Sequence, residues 1–262
     1  MRRVRRALRA APAIVLSILG YYYLTLPDVR PLRNTNPSTT AFIELRASEA
    51  QARRVPARRA QVWLAYNRIS DHLKRAVLVA EDSAFWQHEG VDLDQLQKSM
   101  EINWSQGRFT RGGSTITQQL AKNLYLSPSK NPLRKFRELL IARRLEAELN
   151  KRRILELYLN VIEWGDRIYG AEAASRAYFR RSASGLSAPQ AALLAGAIIN
   201  PRVHSPAHPD ARLLGRQRLI LQRMRYVEPP PPEPLPLPDI EPIPRPPGEV
   251  IPSEPSISPP KM

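Results

Sequence analysis

The sequence predicts a mainly α-helical protein, and three observations carry that expectation. Apolar residues recur at helical rather than alternating spacing, and capping residues and prolines punctuate those runs. No series of Val/Ile-rich segments and no internal repeat is present, so a sheet or solenoid architecture is not expected. With its non-globular ends set aside, the 262-residue chain leaves roughly 180 residues for a core, enough for one well-packed domain.

At the N-terminus, residues 1–9 form a basic segment carrying Arg2, Arg3, Arg5, Arg6 and Arg9, and residues 10–26 (AAPAIVLSILGYYYLTL) carry no charge. At about 1.5 Å per residue the uncharged run spans about 25 Å, slightly short of a hydrocarbon core of about 30 Å. Snorkelling arginines and the Tyr21-Tyr22-Tyr23 belt cover the shortfall, so an uncleaved transmembrane anchor is expected, arginines inside and the remainder outside. A cleaved signal peptide is the competing reading, but Tyr-Leu-Thr-Leu-Pro supplies none of the small residues its cleavage site needs. Pro27, Pro31 and Pro37 make residues 27–40 a linker, and the folded domain is expected over 41–227.

Ser70-Asp71 reads as a helix start, followed by Leu73, Ala76, Val77, Val79 and Ala80 at helical spacing, which puts Glu81 at the helix's C-terminal end. A carboxylate there feels the negative helix end and partial desolvation, both of which raise its pKa; the plainer reading is a surface Glu in a helix–loop turn. Asp92 or Asp94 caps a further helix to about Trp104. Gly107, Gly112 and Gly113 then surround a basic loop with Arg108 and Arg111. Ser114 is expected to cap a helix with Ile116, Leu120 and Leu124 on one stripe and Ser114, Gln118 and Lys122 on another, flanked by Thr115 and Gln119. That polar stripe is either a solvated face or a hydrogen-bonding wall for sugar and phosphate.

Asn131-Pro132 is a helix opening, and the helix is expected to reach Leu149. Within it Arg134 and Glu138 lie four apart, as a surface ion pair or as a cation and a carboxylate sharing one cleft. Residues Lys151–Asn160 read as another helix whose Ile, Leu and Tyr side chains belong to the core. Helices at about 170–180 and 188–199 follow, the second almost wholly apolar and therefore central, with a last amphipathic helix from about Asp210 to Arg225. Residues 228–262 are so rich in proline that an extended, disordered tail is expected.

Forty Lys+Arg against 24 Asp+Glu give a net charge of +16, which implies an anionic partner: nucleic acid, acidic lipid or a phosphorylated substrate. No nucleic-acid motif is present. The absence of cysteine excludes disulfides and thiolate metal sites but is compatible with any compartment. Ser127-Pro128-Ser129-Lys130 fits a bare S-x-x-K pattern, yet no K-T-G or S-D-N follows it, so an acyl-enzyme site is not expected. Two carboxylates, Glu81 and Glu138, bracketing amides, hydroxyls and fixed cations suit sugar transfer from a phosphorylated donor.

Five blocks in order make a resemblance specific. They are Glu81-Asp82 with Phe85, His88 and Gly90; Gly112–Leu124 (GGSTITQQLAKNL); Arg134-Lys135 with Glu138; Lys151–Asn160; and Gly170–Ser175. Over roughly residues 36–225 the chain resembles the peptidoglycan glycosyltransferases of family 51, most closely the monofunctional biosynthetic peptidoglycan transglycosylases. A minor departure is Gln190, which stands where Glu is common in that family.

The resemblance implies a lysozyme-like helical head with a smaller membrane-facing jaw lobe, polymerising lipid II at the inner membrane. The N-terminus would be cytoplasmic and the catalytic domain periplasmic. It implies Glu81 as the base for the acceptor hydroxyl and Glu138 as the second catalytic carboxylate. It also implies Lys122, Arg134 and Lys135 as the cations on the leaving pyrophosphate. Ser114, Thr115, Gln118, Gln119 and Asn123 would line the sugar and phosphate cleft, with Asp82, Phe85 and His88 supporting Glu81. Its partners would be lipid II, the growing lipid-linked glycan, the membrane and other cell-wall synthesis proteins, but no nucleic acid. No cofactor is required by the sequence; Mg²⁺ or another divalent cation at the pyrophosphate is the option left open. A lytic glycosidase is the nearest alternative and a membrane-tethered nucleic-acid-binding module a remote one.

Overall fold

The computed structural model describes residues 20–56, 59–106, 113–129 and 131–226. The expected anchor therefore falls largely outside the described residues, as do the basic loop around Arg108 and Arg111 and the proline-rich tail; only 20–26 of the anchor are described, and 20–24 are helical. Among the described residues no helix is long and apolar enough to cross a membrane.

Nine α-helices are described from residue 41 onward: α1 (Ala41–Ala52), α2 (Asp71–Glu81), α3 (Leu93–Gln106), α4 (Ile116–Tyr125), α5 (Pro132–Glu148), α6 (Lys151–Val161), α7 (Ala171–Phe179), α8 (Ala188–Ala197) and α9 (Ala211–Arg223). The mainly α expectation holds, with one addition. Three very short strands, β1 (Ala60–Gln61), β2 (Glu163–Gly165) and β3 (Ile168–Tyr169), form a sheet in the order β1-β3-β2. β1 runs parallel to β3 with Ala60 opposite Ile168, and β2 pairs with β3 as an antiparallel hairpin. Strands of two or three residues show no alternating pattern of useful length, which is why spacing did not reveal them.

Side-chain caps set most helix starts. Ser70, Thr115, Asn131, Asn150 and Asp210 each accept a backbone N–H from the first turn of α2, α4, α5, α6 and α9 respectively. Two expectations are refined here. Asp92, not Asp94, caps α3, accepting the Gln95 N–H at 2.7 Å. Thr115 rather than Ser114 caps α4, because Thr115 has the extended backbone that aims its Oγ1 at the Gln118 N–H. Gln190, the departure from the family pattern, does the work of a Glu in a capping box: its Oε1 accepts the Ser187 N–H at 3.1 Å. Helix α1 was not foreseen, since its sequence has no apolar stripe; it starts at Thr40, whose hydroxyl accepts the Ile43 N–H.

The apolar helix α8 is central, as expected. Ala191, Ala192, Leu194 and Ala195 are fully buried, and α2 and α9 pack against it. Helix α4 lies against α5, α6 and α1, with Ile116 and Leu120 fully buried. Each such aliphatic side chain removed from water contributes about 1.5–3 kcal/mol, so this packing holds the polar groups carried on the same helices in register.

The segment read as a linker is not a free tether. Residues Arg30–Arg33 form a 3-10 turn that buries Val29 and Leu32. Arg153 on α6 donates to the Leu32 carbonyl at 2.8 Å, and Arg144 on α5 donates to the carbonyls of Leu26 and Pro27 at 3.3 Å. Apolar anchors between the prolines thus pin the chain along α5 and α6.

Gly170, which opens α7, has φ +80°, and a Cβ there would sit 2.8 Å from the Asn160 carbonyl oxygen. Gly170→Ala is expected to cost about 1–3 kcal/mol in urea unfolding, with native helix content retained by circular dichroism.

Candidate active site

The site forms where the end of α2 meets the start of α4. Asp82, the residue that ends α2, is almost fully buried, and its Oδ2 accepts the Ile116 N–H of α4's first turn at 3.0 Å. This is a carboxylate on a helix N-terminus, satisfying one of that helix's unpaired donors. His88 Nε2 reaches both Asp82 oxygens, at 3.0 and 3.1 Å, and the buried Phe85 ring lies edge-on to His88 at 6.4 Å. Asp82, Phe85 and His88 are therefore brought together next to Glu81.

Glu81, one residue earlier, faces α4. Gln119 Nε2 donates to its Oε2 at 2.8 Å, and Gln119 Oε1 in turn accepts the Tyr158 hydroxyl of α6 at 2.9 Å. Glu81 keeps a partial opening to solvent while neighbouring atoms crowd it, and that desolvation raises its pKa. The donor on Gln119 and the charges of Arg216 and Lys122 pull the other way, and Asp82 adds to the rise. The expected direction holds, with burial as the main cause.

A second cluster surrounds Glu138, which is 2% exposed on α5. Arg134 holds its Oε2 at 2.6 Å and Lys135 holds its Oε1 at 2.5 Å. Lys135 Nζ also reaches Ser114 Oγ at 2.9 Å and Gln118 Oε1 at 3.1 Å. Arg134 donates as well to the Ser129 carbonyl. The Arg134–Glu138 pair is thus a buried carboxylate with two cations, not a surface bridge. Of the polar stripe of α4, Gln118 and the flanking Thr115 are buried while Ser114, Gln119 and Lys122 are half-buried, and Gly90 O accepts from both Thr115 Oγ1 and Gln118 Nε2.

Lys122 links the two clusters. Burial lowers its pKa, while the charges of Glu138 and Glu81 raise it and those of Arg134 and Lys135 lower it further. Gln119, Lys122 and Asn123 line one open pocket of about 210 Å³, shared with Arg46 of α1 and Tyr158 of α6. Asn123 Nδ2 donates to the Gln119 carbonyl, bracing that wall.

Ligand atoms of Asp82, His88 and Asp92 lie within 4.8 Å of one another, a spacing a cation tolerates. Both Asp82 oxygens already accept protein donors and Asp92 Oδ1 caps α3, so we assign the trio to hydrogen bonding.

Tyr158, Arg216 and the Gly90 carbonyl were not foreseen as parts of the site. Tyr158 was read as core, and it is fully buried. The available signal was a hydroxyl inside an otherwise aliphatic stripe, because a buried phenol needs a partner. Nothing in the spacing of Arg216 marks it out.

Carboxylates set beside amides and fixed cations, on a mainly helical scaffold, suit a glycosyl-transfer enzyme. Comparison with known proteins agrees: the sequence pattern of the transglycosylase family matches residues 48–225. The chain belongs to that family. It is similar to a biosynthetic peptidoglycan transglycosylase from Methylobacillus flagellatus, at 48% identity over 83% of this chain and 95% of the relative. It is also similar to proteins of the same description from Aromatoleum aromaticum, at 46% identity over 87% of this chain and 100% of the relative, and from Laribacter hongkongensis, at 44% over 85% and 97%.

A raised acid pKa means that ionising Glu81 costs folding stability. The folded state holds the proton more tightly than the unfolded chain, so stability falls as pH rises from the ordinary carboxylate range through the folded-state pKa. Glu81→Gln is therefore expected to raise the thermal midpoint at pH 7–8, with the gain shrinking as pH drops below the unfolded pKa of about 4.3.

Proposed function

We propose that this chain is a peptidoglycan glycosyltransferase that polymerises lipid II into β-1,4-linked glycan strands. The donor is the growing chain, α-linked to undecaprenyl pyrophosphate, and the acceptor is lipid II. The observation that carries the reading is the pairing of a desolvated carboxylate, Glu81, with Lys122, whose charge also meets Glu138 of the Arg134–Lys135 cluster.

In this reading Glu81 removes the proton of the acceptor's 4-hydroxyl as that oxygen attacks the donor's anomeric carbon. An alcohol is a poor nucleophile until its proton leaves, and a positioned base contributes about 10²–10⁴-fold. The bond to the pyrophosphate oxygen breaks, and Lys122, Arg134 and Lys135 stabilise the charge that develops there. Glu138 acts beside the pyrophosphate, holding Arg134 and Lys135 in place. One displacement on an α-linked donor inverts the centre and yields the β link, with no covalent sugar intermediate. Ser114, Thr115, Gln118, Gln119 and Asn123 line or brace the sugar and phosphate cleft.

A divalent cation at the pyrophosphate needs free oxygen ligands. Glu138, the carboxylate of that cluster, has both oxygens engaged by Arg134 and Lys135, so the donor set does not fit a metal there and no step is routed through one.

The same reading makes the helical body a lysozyme-like head with a smaller membrane-facing lobe. The chain would be held in the inner membrane by residues 10–26, with residues 1–9 cytoplasmic and residues 41–227 periplasmic. The net charge of +16 suits anionic headgroups and a pyrophosphate substrate. A lytic glycosidase would also use a carboxylate of raised pKa, but its leaving group is an alcohol that needs a proton, which gives three cations less to do. Release of soluble fragments from sacculi, without polymerisation of lipid II, would favour the lytic reading.

Glu81→Gln is expected to lower polymerisation of labelled lipid II by at least about 10²-fold with unchanged helical circular dichroism. Lys122→Ala and Arg134→Ala are expected to depress turnover more than thermal stability. Retained polymerisation by Glu81→Gln would remove it from the base role.

A further inference from the structure

The hydrogen bond between Gln119 and Glu81 has a direction that Glu81 enforces only when ionised, since a protonated carboxyl can instead donate to the amide oxygen. A glutamine side chain ends in an acceptor oxygen and a donor nitrogen, and a half-turn exchanges them. Only the orientation with Nε2 toward Glu81 supports a carboxylate; the reverse sets a carbonyl oxygen against an anion. Here Nε2 faces Glu81 at 2.8 Å and Oε1 faces Tyr158 Oη at 2.9 Å.

Tyr158 is suited to hold that orientation. It is fully buried on α6, inside the apolar stripe formed by Ile154, Leu155, Leu157 and Leu159. Burial, and then the charges of Glu81 and Asp82, drive the phenol pKa well above its ordinary value, so the proton stays on and the hydroxyl remains a donor. Among the described residues, that hydroxyl donates to Gln119 Oε1.

We infer that Tyr158 is a positioning residue for the transfer reaction, locking the Gln119 amide so that its N–H, not its carbonyl, is presented to Glu81. The inference rests on the reading of Glu81 as the base. The other groups around Glu81 are Lys122 on α4, Arg216 on α9 and the neighbouring Asp82; these are charges acting at a distance, whereas among the described residues Gln119 is the direct donor to the carboxylate. Removing the phenolic hydroxyl leaves the amide free to turn. A turned amide accepts from the protonated form of Glu81 and so favours it, and the base must be titrated at a higher pH before it can accept the acceptor's proton.

The test is the pH profile of kcat/KM for lipid II polymerisation by the full-length protein in detergent, comparing the parent with Tyr158→Phe, Gln119→Ala and the double variant. In Tyr158→Phe the acidic limb is expected to move up by about one pH unit, the amount a single hydrogen bond to a carboxylate supplies. The rate on that limb should fall about tenfold and largely recover at alkaline pH, with little change in KM. Adding Tyr158→Phe to Gln119→Ala should shift the limb no further, since Tyr158 acts through that amide. A rate lowered equally at every pH, or a further shift of the same size in the double variant, would overturn the inference by making Tyr158 a packing residue. Glu81→Gln serves as the separate control. If it remains active, the base reading itself fails. If it is inactive while the Tyr158→Phe profile superimposes on the parent's, only the role of Tyr158 fails.

Discussion

The hydrogen bond from the Ile116 N–H to Asp82 joins the C-terminal end of one helix to the N-terminal end of another, and the site depends on that junction. An acidic side chain at a helix start is favoured both by the unpaired N–H groups and by the helix dipole. Once Asp82 is held there, the helical repeat decides the rest. Glu81 is turned toward the face of α4 that carries Gln119, while Gln118 on the same helix turns to Gly90 and Lys135. One buried carboxylate thereby places the other without touching the reacting atoms.

Desolvation supplies the chemistry. Charges removed from water are costly unless they are paired, and each carboxylate of the site resolves that cost differently. Glu138 and Asp82 are matched by direct donors on both oxygens, which makes them anchors. Glu81 receives a neutral amide and two cations acting at a distance, so it remains basic enough to accept a proton. Lys122 makes no salt bridge among the described residues and feels the charges of both Glu138 and Glu81, which in the proposed function leaves its ammonium for an incoming anion. The proposed glycosyl transfer, which expels a pyrophosphate, uses both features: a base without a direct cationic partner and, in Lys122, a cation without a salt bridge among the described residues.

The scaffold restrains the parts that must not move. Helix α5 carries Arg134, Lys135 and Glu138, and its Arg137 and Arg144 hold the chain that arrives from residues 20–36. The cationic half of the site and the segment following the expected anchor are therefore tied to one helix. On the proposed lipid-linked substrate, that tie sets the height of the cations relative to the segment that follows the expected anchor.

Sequence alone determined the helical class, nearly every helix boundary after residue 70 and the central place of α8, and it singled out Glu81, Glu138, Lys122, Arg134 and Lys135 as site candidates. Those features are local: a cap, a proline, an apolar period or a block of residues close together in the chain carries each of them. It did not reveal α1, the small sheet, the packing of residues 29–32, the Thr115 cap or the part played by Tyr158. Helix α1 lacks an apolar stripe, the strands are too short to alternate, and Leu32 is buried by contacts made more than a hundred residues away. Tyr158 shows the limit most plainly. Its spacing is that of a core residue and it is one, yet its hydroxyl meets an amide 39 positions earlier. Which buried oxygen finds which distant donor is decided when helices pack, because a hydrogen bond is specified by distance and direction in space, and sequence separation carries neither.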